Sequence, residues 1–242
     1  MIRLVNVHKS FRRNPVLRGL NLTIPTGRTT VIIGSSGSGK SVLLKHIIGL
    51  LQPDSGEVWI DDDELTRLRE KDLYRVRKRF GMLFQEGALF DSMNVGRNVA
   101  FPILEHRRLP FSQVEKLVAE KLEMVGLPGI EEKMPSELSG GMRKRVALAR
   151  AIALDPDIML FDEPTTGLDP VMTAAIDHLI MDTQKHFQMT CVVISHDIQS
   201  VFRIAHNIAM LHEGRIVEEG IPEVFRQSRN EVVRDFLSPL CQ

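Results

Sequence analysis

The chain has 242 residues, of which 43 % are hydrophobic, and its 31 lysines and arginines balance 31 aspartates and glutamates. A chain of this size and apolar content can bury the core of one large α/β domain or of two small ones, which excludes wholesale disorder. The formal net charge of zero argues against a protein that coats DNA or RNA, because such proteins carry a basic excess.

Cysteine usage and apolar runs indicate where the protein works. The two cysteines, Cys191 and Cys241, exclude a disulfide scaffold and fit a reducing cytoplasm. Cys191 is expected to be a buried thiol, because it lies in the apolar run 190–194. The N-terminal residues follow a strand-like pattern rather than that of a signal peptide, and no apolar run approaches the roughly 18–20 residues that span a bilayer. We therefore expect a soluble protein whose role at any membrane comes through a partner.

The N-terminal part of the chain is predicted to form short strands joined by turns. Residues 2–7 and 20–24 alternate apolar and polar side chains, which is typical of half-buried antiparallel strands. Residues 29–33 are apolar enough for a strand that is covered on both faces. A helix is predicted over residues 41–51 and a further strand over residues 57–60.

The middle of the chain is predicted to be mainly helical. Residues 64–79 are helical and form the most basic stretch, for which a solvated helix face is favoured over a binding patch. A strand is predicted over residues 80–84. Residues 86–156 then contain mostly helices, including helices over 113–125 and 140–153.

The last third of the chain alternates strands with helices. Strands are predicted over residues 158–161, 190–194 and 208–212. Helices are predicted over residues 172–187 and 198–205, with a short one beginning at Pro222. The alternation predicts an α/β core that is interrupted by a helical insert.

A glycine-rich segment carries the first motif with a chemical meaning. It fits the pattern G-x-x-x-x-G-K-S between a predicted strand and a predicted helix, and its residues are Gly34, Ser35, Ser36, Gly37, Ser38, Gly39, Lys40 and Ser41. Backbone N–H groups of such a loop wrap phosphates, and the helix that starts with Ser41 and Val42 adds its positive end. Lys40 is predicted to reach the β- and γ-phosphates, and the Ser41 hydroxyl to ligate Mg²⁺. The context favours a nucleotide site over a glycine-rich turn that binds nothing.

Two carboxylates follow the predicted strand 158–161. Asp162 at the end of the strand suits Mg²⁺, held directly or through water. Glu163 beside it can polarise a water aimed at the γ-phosphate, which is general-base catalysis worth about 10²–10⁴ in rate. His196 follows the buried strand 190–194, so the same sheet edge should bring it to these carboxylates.

A third motif, Leu138-Ser139-Gly140-Gly141-Met142, stands at the start of a predicted helix. Ser139 is a good N-cap, and the helix N-terminus is a second place where phosphate can bind. With the two motifs above, this segment resembles the signature of ATP-binding-cassette (ABC) ATPases, usually Leu-Ser-Gly-Gly-Gln, and the resemblance extends over nearly the whole chain. It implies a P-loop NTPase (RecA-like) α/β core with an antiparallel β-subdomain and an inserted α-helical subdomain. The core would comprise residues 1–86 and 157–242, and the helical signature subdomain residues 87–156, of one ABC ATPase domain.

The resemblance also implies ATP and Mg²⁺ as ligands and gives further residues their roles. Phe11 would stack on adenine, Gln85 would sense Mg²⁺ and the transmembrane partner, and His196 would act as the γ-phosphate switch. Asp169 would belong to the dimer-contacting loop. Ser139, Gly140, Gly141 and Met142 would contact the ATP of a second chain across a head-to-tail homodimer.

Two classes of ABC ATPase remain, the energy subunit of a membrane transporter and a soluble cassette that acts on nucleic acid or ribosomes. The second class is marked by long coiled-coil insertions, zinc-binding cysteines or fused cassettes, and the sequence has none of these. We therefore expect a transporter and no nucleic-acid partner.

Within transporters, residues 84–95, residues 98–102 and Met142 resemble the ATPase of Mla/MCE-type phospholipid transporters. That resemblance implies an integral-membrane permease, a periplasmic MCE-domain protein and, in some systems, a STAS-domain regulator. The chain would then sit on the cytoplasmic face of the inner membrane and power phospholipid transport between the inner and outer membranes; a transporter of another solute is the alternative. Residues 86–106 are the expected docking surface for the permease, with a packed subdomain interface as the alternative.

Overall fold

The computed structural model describes residues 1–238, and Cys241 lies outside these residues. The strands are β1 (Ile2–Phe11), β2 (Asn14–Ile24), β3 (Thr29–Ile33), β4 (Ser55–Ile60), β5 (Asp63–Glu64), β6 (Phe80–Leu83), β7 (Ile158–Asp162), β8 (Thr190–Ile194), β9 (Asn207–His212) and β10 (Arg215–Gly220). The helices are α1 (Lys40–Ile47), α2 (Glu70–Arg77), α3 (Val95–His106), α4 (Phe111–Met124), α5 (Gly140–Ala151), α6 (Pro170–Phe187), α7 (Ile198–Ile204), α8 (Pro222–Arg226) and α9 (Glu231–Leu237).

The N-terminal strands form an antiparallel sheet in the order β2-β1-β4-β5. Ile2, Leu4 and Val7 of β1 are buried, whereas Val5 is exposed. One face of the strand therefore lies on the core, as the alternation of residues 2–7 predicted.

A second sheet has the order β10-β9-β3-β8-β7-β6, in which all strands run parallel except β10. β3 and β8 are buried along their whole lengths, as their apolar runs predicted. Because the carboxyl ends of parallel strands meet at one edge of a sheet, the residues after β3, β6, β7 and β8 come together there.

Between β6 and β7 the helices α3, α4 and α5 pack on one another. Val99, Leu122 and Val146, one from each helix, are fully buried in a core that continues under the parallel sheet. The insert therefore consists mainly of helices, and the subdomain boundaries at residues 87 and 156 stay a prediction. Within residues 1–238, no helix combines the length and the apolarity required to cross a bilayer.

The helix predicted over residues 64–79 is wrong in its first half. Residues 63–64 pair with β4 as β5, and α2 begins only at Glu70. Strand pairing and the burial of Leu65 override the helical propensity of these charged residues.

The arginines of this segment form ion pairs at the surface. Arg75 Nη2 lies 3.1 Å from Asp63 Oδ1, and Arg77 Nη1 lies 2.5 Å from Glu70 Oε1. Surface pairs of this kind contribute only about 0–1 kcal/mol each to stability. The segment has the character of the solvated face that the sequence favoured.

Other differences lie at the ends of elements. α1 ends at Ile47 instead of residue 51, because Gly49 adopts a φ of +70° that ends the helix. Residues 84–94 contain turns and irregular segments and no helix, and the first helix of the insert begins at Val95. β10 and α9 have no counterpart in the sequence prediction.

Candidate nucleotide-binding site

A cleft of about 730 Å³ opens at the carboxyl edge of the parallel sheet. It is lined by most of the residues that the sequence predicted for nucleotide binding, namely Phe11, Gly34, Ser35, Ser36, Gly37, Gly39, Lys40, Ser41, Val42, Gln85, Asp162, Glu163 and His196. These residues lie at or after the ends of β1, β3, β6, β7 and β8, so the fold assembles one site from distant parts of the chain.

Glycines shape the loop between β3 and α1. A Cβ atom on Gly34 would lie 2.3 Å from the backbone oxygen of Leu211 in β9, so no other residue fits there without a shift of the backbone. Gly39 has a φ of +104° at the start of α1, a conformation that L side chains rarely adopt. The loop therefore turns sharply into α1, whose first N–H groups have no acceptor within the helix and can bind phosphate.

Lys40 folds back over this loop. Its Nζ donates hydrogen bonds to the backbone oxygens of Gly34 at 2.8 Å and Ser35 at 3.0 Å. Partial burial lowers the pKa of Lys40, and the nearby carboxylates of Glu163 and Asp162 oppose that shift. The ammonium group is thus held at the loop and faces negative charge across the cleft.

Ser38 is the one loop residue that does not line the cleft. Its side chain is buried beneath the loop, and its hydroxyl has no hydrogen-bond partner among residues 1–238. Its backbone N–H donates to Ser35 at 3.2 Å, which closes a tight turn. Nucleotide binding by the Ser38 side chain stays a prediction.

The two carboxylates at the end of β7 have different surroundings. Burial raises the pKa of Asp162, Glu163 adds to the rise, and Lys40 opposes it. Glu163 has a φ of +52° and donates its backbone N–H to the backbone oxygen of Ile194 in β8 at 3.0 Å. A non-glycine residue in this region of backbone space is uncommon, and such residues cluster at functional sites.

Glu163 and His196 form the closest side-chain pair in the cleft. His196 Nδ1 lies 2.5 Å from Glu163 Oε2, which also accepts a hydrogen bond from Thr166 Oγ1 at 3.2 Å. Against an ionised carboxylate, which can only accept, Nδ1 is the donor of this contact. The sequence predicted that these strand ends would meet, and the structure brings them together.

Three oxygen donors in the cleft suit a magnesium ion. The Ser41 hydroxyl, the Gln85 amide and the Asp162 carboxylate all line it, and Mg²⁺ prefers oxygen ligands that include one or two carboxylates. The donor set therefore fits the ion that the phosphate loop predicts.

The signature residues and Asp169 lie away from this cleft. Ser139 caps α5, and its Oγ accepts the Met142 N–H at 3.3 Å. Asp169 caps α6 and accepts the N–H groups of Val171 and Met172, each at 2.9 Å. Neither Asp169 nor any residue of the signature Ser139, Gly140, Gly141 and Met142 lines the cleft of its own chain.

Three residues of the cleft were missed by the sequence analysis. Val16 lies in β2, Ile194 ends β8, and Phe236 reaches the cleft from α9. None of them belongs to a motif, and α9 itself was not predicted. Val16 and Phe236 could be found only from the packing of distant elements, whereas Ile194 ends a strand that was predicted to reach this edge of the sheet.

Comparison with known proteins identifies the family. The family model described as ABC transporter matches residues 17–166. The probable ribonucleotide transport ATP-binding protein Mkl of Mycobacterium tuberculosis (strain H37Rv) is 46 % identical over 237 residues, which make up 98 % of this chain but only 66 % of that protein. The intermembrane phospholipid transport system ATP-binding protein MlaF of Haemophilus influenzae is 48 % identical over 218 residues, or 90 % of this chain and 83 % of that protein.

The fold also matches a solved cassette. A dimeric structure of a post-hydrolysis state of an ATP-binding cassette bound to ADP and Pi superposes with a TM-score of 0.83 and 32 % identity, and the match covers 91 % of this chain and 98 % of that one. The predicted ABC-type α/β fold is thereby confirmed. The chain belongs to the ABC transporter family.

Proposed function

We propose that this chain is the ATP-hydrolysing subunit of a membrane transporter. The observation that carries the proposal is the geometry of one cleft, in which the phosphate loop with Lys40 faces the Glu163–His196 pair. A loop that holds phosphates and a carboxylate that can orient water are the two parts that phosphoryl transfer to water requires.

The phosphate loop would hold the triphosphate. Backbone N–H groups between β3 and α1 would bind the phosphate oxygens, and Lys40 would contact the β- and γ-phosphates. Phe11 is 45 % exposed at the end of β1, which leaves its ring free to stack on adenine. Ser41, Gln85 and Asp162 would hold Mg²⁺, which when bound neutralises charge on the phosphate oxygens.

Glu163 would act as the general base. His196 and Thr166 occupy Oε2, which leaves the second carboxylate oxygen of Glu163 to accept a proton from a water molecule. The oxygen of that water attacks the γ-phosphorus as the proton is transferred. The bond from that phosphorus to the β–γ bridging oxygen breaks, and ADP leaves with the bonding electrons. His196 would keep the carboxylate oriented and contact the γ-phosphate.

The Glu163→Gln variant tests this role. We expect it to bind ATP with an unchanged Kd and to hydrolyse it at least about 10²-fold more slowly, because the amide cannot take a proton from water. Steady-state release of phosphate and equilibrium binding of a fluorescent ATP analogue measure the two quantities. A kcat close to the parental value would contradict the proposed ATPase site, and Lys40→Ala, which should weaken binding itself, is the comparison variant.

A second chain would complete the site. The signature residues of a chain do not line the cleft of that same chain. The N-terminus of α5 is instead exposed at Ser139 and Gly140. The related cassette with bound ADP and Pi is dimeric. In a head-to-tail homodimer, the signature of each chain would contact the ATP held by the phosphate loop of the other.

A groove beside the cleft is the proposed docking surface for the permease. It has a volume of about 360 Å³ and lies between β6, the turns after it, and α3. Phe84, Phe90 and Phe101 stay 36–44 % exposed there, and the rings of Phe90 and Phe101 pack with their centroids 5.0 Å apart. Gln85 lines the nucleotide cleft and directly precedes residues 86–106. A change in the nucleotide bound in the cleft can therefore alter the conformation of this segment.

We propose phospholipid as the cargo, with transport between the inner and outer membranes. The resemblance to the intermembrane phospholipid transport protein MlaF supports this assignment. A periplasmic MCE-domain protein and a STAS-domain regulator would then join the permease, and the chain would lie on the cytoplasmic face of the inner membrane. The name of the mycobacterial relative favours a second candidate, a transporter of ribonucleotides or another solute.

Affinity purification separates the two cargoes. The tagged chain is expected to retain a permease, an MCE-domain protein and phospholipid when it is isolated from its own membranes and analysed by mass spectrometry. A different permease with a solute-binding protein would overturn the phospholipid assignment and leave the ATPase site intact. Tight binding of duplex DNA at physiological salt would contradict the transporter class itself.

A further inference from the structure

One charged side chain is buried close to the cleft without lining it. Lys144 lies on α5, one turn after the signature, and only 7 % of it is exposed. Burial lowers its pKa, while Glu86 and Glu163 oppose the shift. A buried ammonium group is costly unless it is well hydrogen-bonded, so its partners define what it does.

Those partners are two backbone carbonyls of a single turn. Lys144 Nζ donates to the oxygens of Pro164 and Thr166, each at 2.7 Å. The turn lies between β7 and α6 and directly follows Glu163. The ammonium group therefore joins α5 to the segment that carries the proposed general base.

The hydrogen bonds continue from this turn to the reacting group. Thr166, whose carbonyl accepts from Lys144, donates its hydroxyl to Glu163 Oε2 at 3.2 Å. The same carboxylate oxygen contacts His196. Thr166 therefore connects Lys144 to the Glu163 carboxylate through two hydrogen bonds.

A second contact joins the same two segments. A Cβ atom on Gly141 would lie 2.1 Å from Met172 Cε, so the side chain of Met172 covers the signature glycine closely. Met172 stands in the first turn of α6, which Asp169 caps. Contacts at both ends therefore hold the start of α5 and the turn from Glu163 to Asp169 together.

We propose that Lys144 is a positioning residue for hydrolysis, which fixes the turn carrying Glu163 to the helix carrying the signature. The inference rests on the proposed function, in which the signature contacts the ATP of the partner chain and Glu163 acts on the ATP of its own chain. ATP bound at one site would then help to orient the carboxylate at the other. This link explains why a lysine is buried there rather than an apolar residue.

The test uses the full chain and three variants. Lys144→Met removes the charge. Lys144→Arg keeps the charge, and its guanidinium group has enough N–H donors to bind both backbone carbonyls. Lys121→Met is the matched control, because Lys121 is 2 % exposed and binds Asp155 at 2.7 Å in the helical insert, away from the cleft. ATPase kcat, KM for ATP and Tm are measured for each.

We expect Lys144→Met to lower kcat by about tenfold or more with KM within about twofold of the parental value, because carboxylate alignment matters only in the transition state. Lys144→Arg should recover kcat to within about threefold, and Lys121→Met should keep the parental kcat below its Tm. If Lys144→Met does not fold, Lys144→Gln is measured in its place; it loses the charge but keeps an amide donor, so its kcat should fall by about threefold to tenfold with KM unchanged.

Two results would overturn the inference. The first is a kcat for the uncharged variant within about twofold of the parental value. The second is that Lys121→Met also loses kcat, and that the loss of kcat in both variants follows their fall in Tm. Failure of the proposed function would give a different result, because Glu163→Gln would then keep the parental kcat.

Discussion

Three residues of the cleft are held in unfavourable states by the fold around them. Lys40 and Asp162 have their pKa values shifted by burial in opposite directions, and Glu163 has a left-handed backbone conformation. Each of these features costs stability, and none is needed to form the sheet. Such costs are typical of a site maintained for function.

Asp162 gives a prediction about stability and pH. Its pKa is raised in the folded chain above the ordinary value of 3.8. Such a carboxyl group stabilises the folded chain fully at pH values below the pKa that it has in the unfolded chain. This contribution is lost as the pH rises through the pKa that it has in the folded chain. At neutral pH the buried charge is therefore destabilising, so Asp162→Asn should raise the Tm of the nucleotide-free chain.

Calorimetry across a pH series measures this effect. The Tm difference between Asp162→Asn and the parental chain should shrink as the solution is made more acidic. Asp91→Asn, which replaces an exposed aspartate, is the control and should leave Tm unchanged. A lower Tm for Asp162→Asn at neutral pH would show that the carboxylate is stabilising and would contradict the argument.

At the scale of elements, the buried strands were the most predictable. β3 and β8 have the predicted bounds, because short apolar runs flanked by turns leave few alternatives. Glu64 of β5 was predicted to begin a helix, because its strand conformation comes from pairing with β4, which the local sequence does not encode. β10 was missed for the same reason, since it forms by pairing with β9.

Burial in β8 gives a prediction about cysteine chemistry. Cys191 is fully buried, as predicted, and desolvation raises the pKa of its thiol to about 12. The thiolate is the reactive form, so a maleimide at mildly alkaline pH should not modify Cys191 in the native chain. Mass spectrometry of a Cys241→Ser variant measures this, and labelling in denaturant is the control. Labelling at equal rates in native and denatured chains would contradict the burial of β8.

For the whole molecule, residues in contiguous motifs could be predicted from the sequence, whereas contacts between distant segments could not. The motifs around Lys40, Asp162 and Ser139 each consist of contiguous residues, so they could be identified without a fold. That His196 reaches Glu163 followed from the rule that parallel strands end at one edge. Phe236 and the Lys144 contacts could not be predicted, because they depend on how α9 and α5 pack against distant segments.

In the proposed homodimer, each ATP site would be built from two chains. This arrangement is tested with two differently tagged chains, one carrying Ser139→Arg and the other Lys40→Ala, both in the Glu163→Gln background that should trap ATP. A mixed dimer has one site with an intact phosphate loop and an intact signature, whereas neither homodimer has such a site.

The most direct measurement is the number of ATP molecules retained by each purified dimer. We expect one ATP per mixed dimer and none on either homodimer, with two on the dimer that carries Glu163→Gln alone. Absence of ATP from the mixed dimer, while the Glu163→Gln dimer retains two, would contradict a site shared between chains.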